Sequence, residues 1–245
     1  AGFDATTLWW EDEVGTPSIK KEAMPGLVRE AGLFLENIHI PYHECDGLWS
    51  ENRSVREAVL KQYRGWLDDC ERYRIPIMVM HISDSLTLPP PNRYGLEGIA
   101  GLVKTAEERG ITIAIENTGR EDYIRFVFSR LESPHLGFCY DSSHHRIYGQ
   151  GRLDLLTSLA ARVVCTHLSD NDGRQDCHWL PGEGIIDFRP ISALLAAAGY
   201  QAALTLEVTR GEQDGATPPA QFLARAFQAA AAIRRTCCAD SLDEP

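Results

Sequence analysis

The chain has 245 residues, of which 44% are hydrophobic, and it carries a formal net charge of -11 at pH 7. This length and apolar content fit a single α/β barrel, which commonly runs to about 250 residues. The acidic balance, without a stripe rich in lysine or arginine, disfavours wide contact with nucleic acid, and no apolar stretch reaches the roughly 18 residues of a membrane span.

Cysteine usage indicates a reducing compartment. The seven cysteines are an odd number, none of them form a CxxC pair, and two fall inside predicted strands. No charged start followed by an apolar segment suggests a signal peptide. We therefore expect reduced thiols and a cytoplasmic location.

Seven apolar runs rich in Val, Ile, Leu, Thr and Ala have the character of strands buried on both faces. They cover residues 3–9, 33–40, 75–81, 111–116, 136–141, 162–167 and 202–207. Segments with amphipathic helical spacing alternate with them. These predicted helices cover residues 18–32, 54–73, 94–110, 122–131, 152–161, 188–198 and 218–235.

Strands and helices in strict alternation predict parallel pairing and a (β/α)8 TIM barrel. A closed barrel of this kind needs eight strands, and seven are predicted. The chain opens on Ala-Gly-Phe-Asp, which reads like the glycine cap of a helix running into a strand. We therefore expect the first strand–helix unit to lie upstream of residue 1. Residues 1–236 are predicted to form one domain, and residues 237–245 a polar C-terminal tail.

Five of the strands end on a side chain that can bind a metal ion. An ionisable group at the end of a buried strand is costly unless something pairs with it, and barrels carry their chemistry at this edge. With a histidine of the second strand and three residues in the following loops, the set is His39, His81, Glu116, Asp141, His144, His167, Asp176, His178 and Glu207. Nitrogen and oxygen donors without a thiolate favour zinc, manganese, magnesium or cobalt.

Each candidate also has a plainer interpretation. A lone His or Glu at a strand end is more often a hydrogen-bonded core or rim residue than a ligand, although Glu116, Asp141, His167 and Glu207 on consecutive strands together favour ligation. Lining of the pocket is the alternative for His39 and His81. Holding substrate hydroxyls, or orienting the ligands from behind, is the alternative for the three loop residues. Four aromatic residues at strand ends or in loops, Trp9, Trp10, Tyr42 and Trp49, are placed to line the same pocket or to pack in the core. We assign substrate binding to Trp9, Tyr42, His144 and His178.

Several short motifs together resemble the xylose isomerase-like barrels. They are IENTG from Ile115, the D-x-x-H of Asp141, HLSD from His167, D-x-H followed by PGEG from Asp176, and LEV from Leu206. The resemblance covers essentially the whole chain. The family it points to includes sugar epimerases, hydroxypyruvate isomerases and the endonuclease IV enzymes. It implies one catalytic metal held by Glu116, Asp141, His167 and Glu207. In endonuclease IV-like members the other five residues are added, which allows three zinc ions.

The resemblance leaves two functions from different classes open. The first is a divalent-metal-dependent isomerase or epimerase of a sugar, sugar phosphate or keto acid, in which Glu116 and Glu207 move a proton through a metal-stabilised enediolate. The alternative is an endonuclease IV-like zinc-dependent phosphodiesterase acting on DNA abasic sites. Dehydratase or lyase chemistry on a similar sugar acid is a third option. A small-molecule partner is expected, and the sequence leaves the substrate and a homo-oligomeric state open.

Overall fold

The computed structural model of the chain describes residues 1–14, 16–150, 152–211, 215 and 217–239. By its contacts the chain divides into two compact units. The first unit comprises residues 4–137, and the second comprises residues 1–3 and 138–245. Among the described residues, no helix combines the length and the apolar character needed to cross a membrane.

The first unit contains four strands, each followed by a helix. Its elements are β1 (Ala5–Trp9), α1 (Met24–Glu30), β2 (Phe34–His39), α2 (Arg53–Tyr73), β3 (Ile77–Met80), α3 (Arg93–Glu108), β4 (Thr112–Glu116) and α4 (Glu121–Phe128). The strands pair in chain order, β1 with β2, β2 with β3 and β3 with β4, and every pair is parallel. Parallel pairing brings the carboxyl ends of the four strands to one edge, as the alternation of strands and helices predicted.

Asparagine caps fix where two of these helices begin. The side chain of Asn52 accepts a hydrogen bond from the amide of Ser54 before α2, and Asn92 accepts bonds from the first amides of α3. Both caps satisfy amides that have no partner within the helix. The helices predicted at residues 54–73 and 94–110 begin and end within two residues of α2 and α3.

The second unit contains two named strands. Its elements are β5 (Leu136–Asp141), within which the boundary between the units falls, α5 (Ser142–Tyr148), α6 (Asp154–Leu159), β6 (Val163–His167), α7 (Phe188–Ala197) and α8 (Pro219–Ala239). Strands β5 and β6 are parallel, and their register places Asp141 opposite His167. Two strand-end candidates are thus direct neighbours.

The predicted strand at residues 202–207 is wrong in extent. In the part of the chain that the structure describes, it is reduced to an isolated parallel bridge between Leu168 and Leu206. The amide of Thr205 donates to the side-chain oxygen of Thr166 at 3.1 Å. A hydroxyl therefore takes the place of a backbone acceptor at this rung, and a continuous ladder does not form.

Helix boundaries also differ from the prediction. The first helix was predicted at residues 18–32, but α1 covers only Met24–Glu30 and follows a short 3-10 helix at Lys21–Ala23. No element was predicted at residues 142–148, where α5 begins directly after β5. The last helix was predicted to end at residue 235, but α8 extends to Ala239, so residues 237–239 of the predicted tail are helical. Residues 240–245 lie outside the described residues, and the single-domain assignment of residues 1–236 stays a prediction.

Candidate functional site

In the first unit, three strand ends bring His39, His81 and Glu116 together. His39 ends β2, His81 follows β3 and Glu116 ends β4. The Nε2 atom of His39 lies 2.9 Å from Oε2 of Glu116, and Nε2 of His81 lies 3.5 Å from the same oxygen. All three side chains are at most 6% exposed. One ligand atom of each lies within 4.8 Å of the others, which is close enough for one cation to contact all three.

The ring of His39 is oriented by the backbone. Its Nδ1 atom lies 2.8 Å from the carbonyl oxygen of Ile40, and a carbonyl only accepts, so Nδ1 carries the hydrogen. A neutral ring would then set the Nε2 lone pair against a Glu116 oxygen 2.9 Å away, a repulsive contact that a cation bound to both atoms would relieve. Metal-binding histidines usually donate a hydrogen bond from one ring nitrogen to a carbonyl or carboxylate and bind the ion with the other nitrogen.

Aromatic rings cover these histidines. The ring of Tyr42 stacks on His81 with centroids 4.5 Å apart and planes inclined by 21°. The ring of Trp9 lies 4.9 Å from His39, and its Nε1 donates to Glu11 at 2.7 Å. Trp9 and Tyr42 therefore lie beside the candidate ligands, and their contact with substrate stays a prediction.

Trp10 and Trp49 belong to the core instead of a pocket. Trp10 is fully buried and its Nε1 donates to Asp69 of α2 at 2.9 Å. Trp49 is 5% exposed and donates to the carbonyl of Ile82. Successive residues of a strand point to opposite faces, so Trp10 turns away from the face that Trp9 occupies.

In the second unit, Asp141, His167 and Glu207 form a second group. One ligand atom of each lies within 4.8 Å of the others, and Nδ1 of His167 is 3.5 Å from Oε2 of Glu207. Asp141 and His167 are buried, whereas the side chain of Glu207 is 29% exposed. Oδ1 of Asp141 accepts the amide of His144 at 2.6 Å and so caps α5. The same carboxylate thus fixes the helix that carries His144.

Asp176 and His178, in the loop after β6, form a cluster with His144 of α5. Oδ2 of Asp176 lies 3.2 Å from Nε2 of His144 and 3.1 Å from Nε2 of His178. Burial opposes ionisation of Asp176, but the hydrogen bonds from the two histidines outweigh it and lower the pKa of this carboxyl. The hydrogen bond with Asp176 raises the pKa of His178 to about 9 against the opposing effect of burial.

His178 also connects the loop to the chain segment that carries Glu207. Its Nδ1 atom lies 3.1 Å from the carbonyl oxygen of Glu207, and its own carbonyl accepts the amide of Thr209 at 3.0 Å. The backbone of His178 has φ = 49°, a left-handed conformation that is uncommon outside glycine and is found at functional positions.

A fully buried carboxylate, Asp170, holds the loop in shape. Its two oxygens accept the amides of Asn171, Gly182, Gly184 and Ile186 at 2.9 to 3.0 Å. A Cβ at Gly184 would collide with the carbonyl oxygen of Asn171 and with the Asp170 carboxylate, so glycine is required there. The HLSD and PGEG segments are therefore bonded to each other, a role that the sequence analysis did not assign to Asp170.

Replacing Asp170 should destabilise the protein. Asp170→Ala leaves one buried amide, that of Asn171, and three part-buried amides without their acceptor, which should lower the free energy of unfolding by roughly 2–5 kcal/mol. Urea unfolding followed by circular dichroism measures the change. Asp172→Ala is the matched control, because this exposed carboxylate accepts the amides of Arg174 and Gln175 in the same loop. A loss for Asp170→Ala no larger than for the control would contradict the role of Asp170.

The ion pair of His178 makes stability depend on pH. Because its pKa is raised from 6.5 to about 9, the stabilisation is fully present below pH 6.5 and is lost as the pH rises through about 9. NMR titration of the ring in chelator-treated protein should give this high value, and Asp176→Asn should return it toward 6.5. Asp172→Asn should leave the titration unchanged. An unshifted His178 in the unsubstituted protein would rule out the pairing.

Parallel strand–helix units with imidazoles and carboxylates at the strand ends define an α/β-barrel protein with a candidate metal site. A family model described as xylose isomerase-like TIM barrel matches residues 1–233, and the chain belongs to this family. The resemblance and the barrel fold predicted from the sequence are thus confirmed.

Individual known proteins agree with this assignment. The chain is 27% identical over 165 residues to an inosose dehydratase of Geobacillus thermodenitrificans. The aligned segment covers 58% of this chain and 53% of that protein. A solved L-ribulose 3-epimerase superposes with a TM-score of 0.75 at 17% identity, over 100% of this chain and 90% of that one. A solved structure of a zinc-bound IOLI protein superposes with a TM-score of 0.68 at 13% identity, over 94% of this chain and 98% of that one. The chain spans about 34% to 63% of the length of the curated relatives it matches first.

Proposed function

We propose that the protein is a divalent-metal-dependent isomerase or epimerase of a sugar or keto acid. Glu116, Asp141, His167 and Glu207 are the proposed ligands of one ion. The observation that supports this most is the grouping of Asp141, His167 and Glu207 within 4.8 Å at the ends of neighbouring segments. Glu116 is the proposed fourth ligand, because strand ends of a TIM barrel converge on one face.

The donor chemistry fits a divalent cation. Asp141 is 0% exposed and His167 is 1% exposed, and burial of a carboxylate beside another carboxylate is costly without a compensating positive charge. Oxygen and imidazole nitrogen donors suit zinc, manganese, magnesium or cobalt. The names of the zinc-bound IOLI protein and of L-ribulose 3-epimerase support the same proposal.

The two glutamates carry the proposed proton transfers. A bound divalent ion polarises the carbonyl oxygen of a ketose and so makes the adjacent C–H more acidic. One of Glu116 and Glu207 then takes the proton with a carboxylate oxygen, and the other returns a proton. Return to the opposite face of the same carbon inverts it, whereas return to the neighbouring carbon moves the carbonyl. Trp9 and Tyr42 are proposed to line the space that the sugar occupies.

A second candidate function is an endonuclease IV-like zinc-dependent phosphodiesterase. The contacts of His39 and His81 with Glu116, and the cluster of His144, Asp176 and His178, favour it because they offer donors for additional ions. The net charge of -11 stands against it, since an enzyme that binds duplex DNA needs several cationic contacts with phosphates. We therefore place the isomerase or epimerase first.

Replacement of Glu207 separates proton transfer from metal binding. Glu207→Gln keeps an oxygen donor but removes the base, so most of the metal should be retained while turnover falls by about two to four orders of magnitude. Incorporation of solvent deuterium into L-ribulose and other ketoses is the direct measurement, because proton abstraction exposes the carbon to exchange. Glu108→Gln, on an exposed position of α3, is the matched control and should exchange normally.

His178→Ala distinguishes the two functions. It should reduce exchange far less than Glu207→Gln if the protein is an isomerase or epimerase. In a phosphodiesterase it should abolish cleavage of a duplex with an abasic site and lower the metal content. Efficient cleavage of such a duplex at physiological salt, with no deuterium entering any sugar tested, would defeat the first candidate.

A further inference from the structure

Two buried residues that have no assigned role, Ser143 and Asn171, lie directly behind the Asp176 carboxylate. Ser143 is the second residue of α5, and Asn171 follows Asp170 in the loop after β6. Both are fully buried. Asn171 Nδ2 lies 2.7 Å from Ser143 Oγ, and Ser143 Oγ lies 2.6 Å from Asp176 Oδ1. The three side chains thus form one continuous hydrogen-bonded chain.

The direction of this chain follows from what each atom is able to donate. The amide of Gly173 donates to Oδ1 of Asn171 at 2.7 Å, which identifies the other side-chain atom as the NH2 group. Nδ2 of Asn171 then donates to the hydroxyl oxygen of Ser143 and to the Ser143 carbonyl. Because its oxygen accepts from Asn171, the Ser143 hydroxyl turns its hydrogen to Asp176. A 2.6 Å separation is typical of a hydroxyl that donates to a carboxylate.

This bond decides which oxygen of Asp176 faces the histidines. Oδ1 is held by Ser143, so Oδ2 is the atom that lies 3.2 Å from His144 and 3.1 Å from His178. The Asp176 side chain is 28% exposed and stands in a loop, where a carboxylate would otherwise turn about its last torsion. A buried donor on one oxygen removes that freedom.

We infer that Ser143, supported by Asn171, is a positioning residue that fixes the Asp176 carboxylate between His144 and His178. Ser143 donates to Asp176 and so acts on the two histidines through that carboxylate. Its consequence for turnover rests on the proposed function together with the expectation that His144 and His178 bind the hydroxyls of the sugar. The orientation of Asp176 itself is independent of that function.

Nitrogen-15 NMR of the histidine rings tests the orientation directly. Ser143→Ala removes the donor to Oδ1, and Ser143→Cys replaces it with a weak donor of similar size. Both variants should shift the Nε2 resonances of His144 and His178 together, with Ala causing the larger shift. The ring of His135, which bonds to the carbonyl of Ile111, is the internal reference and should not move.

Ser142→Ala is the matched control. Ser142, at the start of α5, is also buried, with 1% exposure. Its hydroxyl donates to the carbonyl oxygen of Ser169 at 2.7 Å instead of to Asp176. It should leave both Nε2 resonances in place even if it lowers the melting temperature. Unchanged resonances in folded Ser143→Ala, or equal shifts in Ser142→Ala, would overturn the inference. If Ser143→Ala does not fold, the near-isosteric Ser143→Cys decides by the same criterion.

Deuterium exchange into L-ribulose provides a separate readout. Loss of the hydrogen bond should raise KM by about tenfold or more, with kcat changed by less than about twofold. Shifted histidine resonances with an unchanged KM would leave the positioning of Asp176 intact and contradict the substrate-holding role. Unshifted resonances would refute the positioning whatever the kinetics.

Discussion

The constraint on which the candidate site depends is the cost of burying ionisable groups at strand ends. Strand ends of a parallel sheet are covered on both faces, so a carboxylate placed there loses most of its hydration. Glu116 and Asp141 accept this burial at 1% and 0% exposure. In the first unit the imidazoles of His39 and His81 lie against Glu116. In the second, the amide of His144 bonds to Asp141, and the His144 ring lies 3.8 Å from the same carboxylate. A divalent cation would offset the cost that these contacts leave.

The loop after β6 shows how the fold holds polar groups that have less covering structure. Asp170 gathers four backbone amides, and Asn171 continues from it toward Ser143 and Asp176. Each of these side chains is satisfied by hydrogen bonds, which is what makes a buried polar network stabilising and geometrically specific. The loop therefore presents Asp176 and His178 in a defined arrangement although both reach solvent.

Much of the architecture was predictable because it depends on periodic patterns. The pattern of buried strands predicted the six named strands and their parallel pairing, and amphipathic spacing predicted α2 and α3, whose asparagine caps only the structure revealed. The segment around Leu206 was predicted as a strand from its composition, but a threonine hydroxyl interrupts its pairing. Helix α5 was missed because its sequence, SSHHRIY, is largely polar and carries no apolar stripe, although Asp141 before Ser142 and Ser143 has the form of an N-cap.

The candidate ligands were predictable for a different reason. Histidine, aspartate and glutamate at the end of an apolar run are conspicuous, and within each unit the structure brings the predicted residues into contact. Ser143, Asn171 and Asp170 were not predicted as site residues, because small polar residues are common in loops and only tertiary contacts reveal their partners. The same limitation applies to Trp10 and Trp49, whose burial depends on helix packing that their positions in the sequence do not encode.

The central claim is that one divalent ion is held by Glu116, Asp141, His167 and Glu207. Anomalous diffraction from crystals of protein purified without chelator, recorded on both sides of the absorption edges of zinc, manganese and cobalt, tests it most directly, with elemental analysis of the same sample to cover magnesium. The account predicts a single ion per chain in contact with these four side chains. Absence of an ion from these ligands would contradict the account, as would three ions that also engage His39, His81, His144, Asp176 and His178.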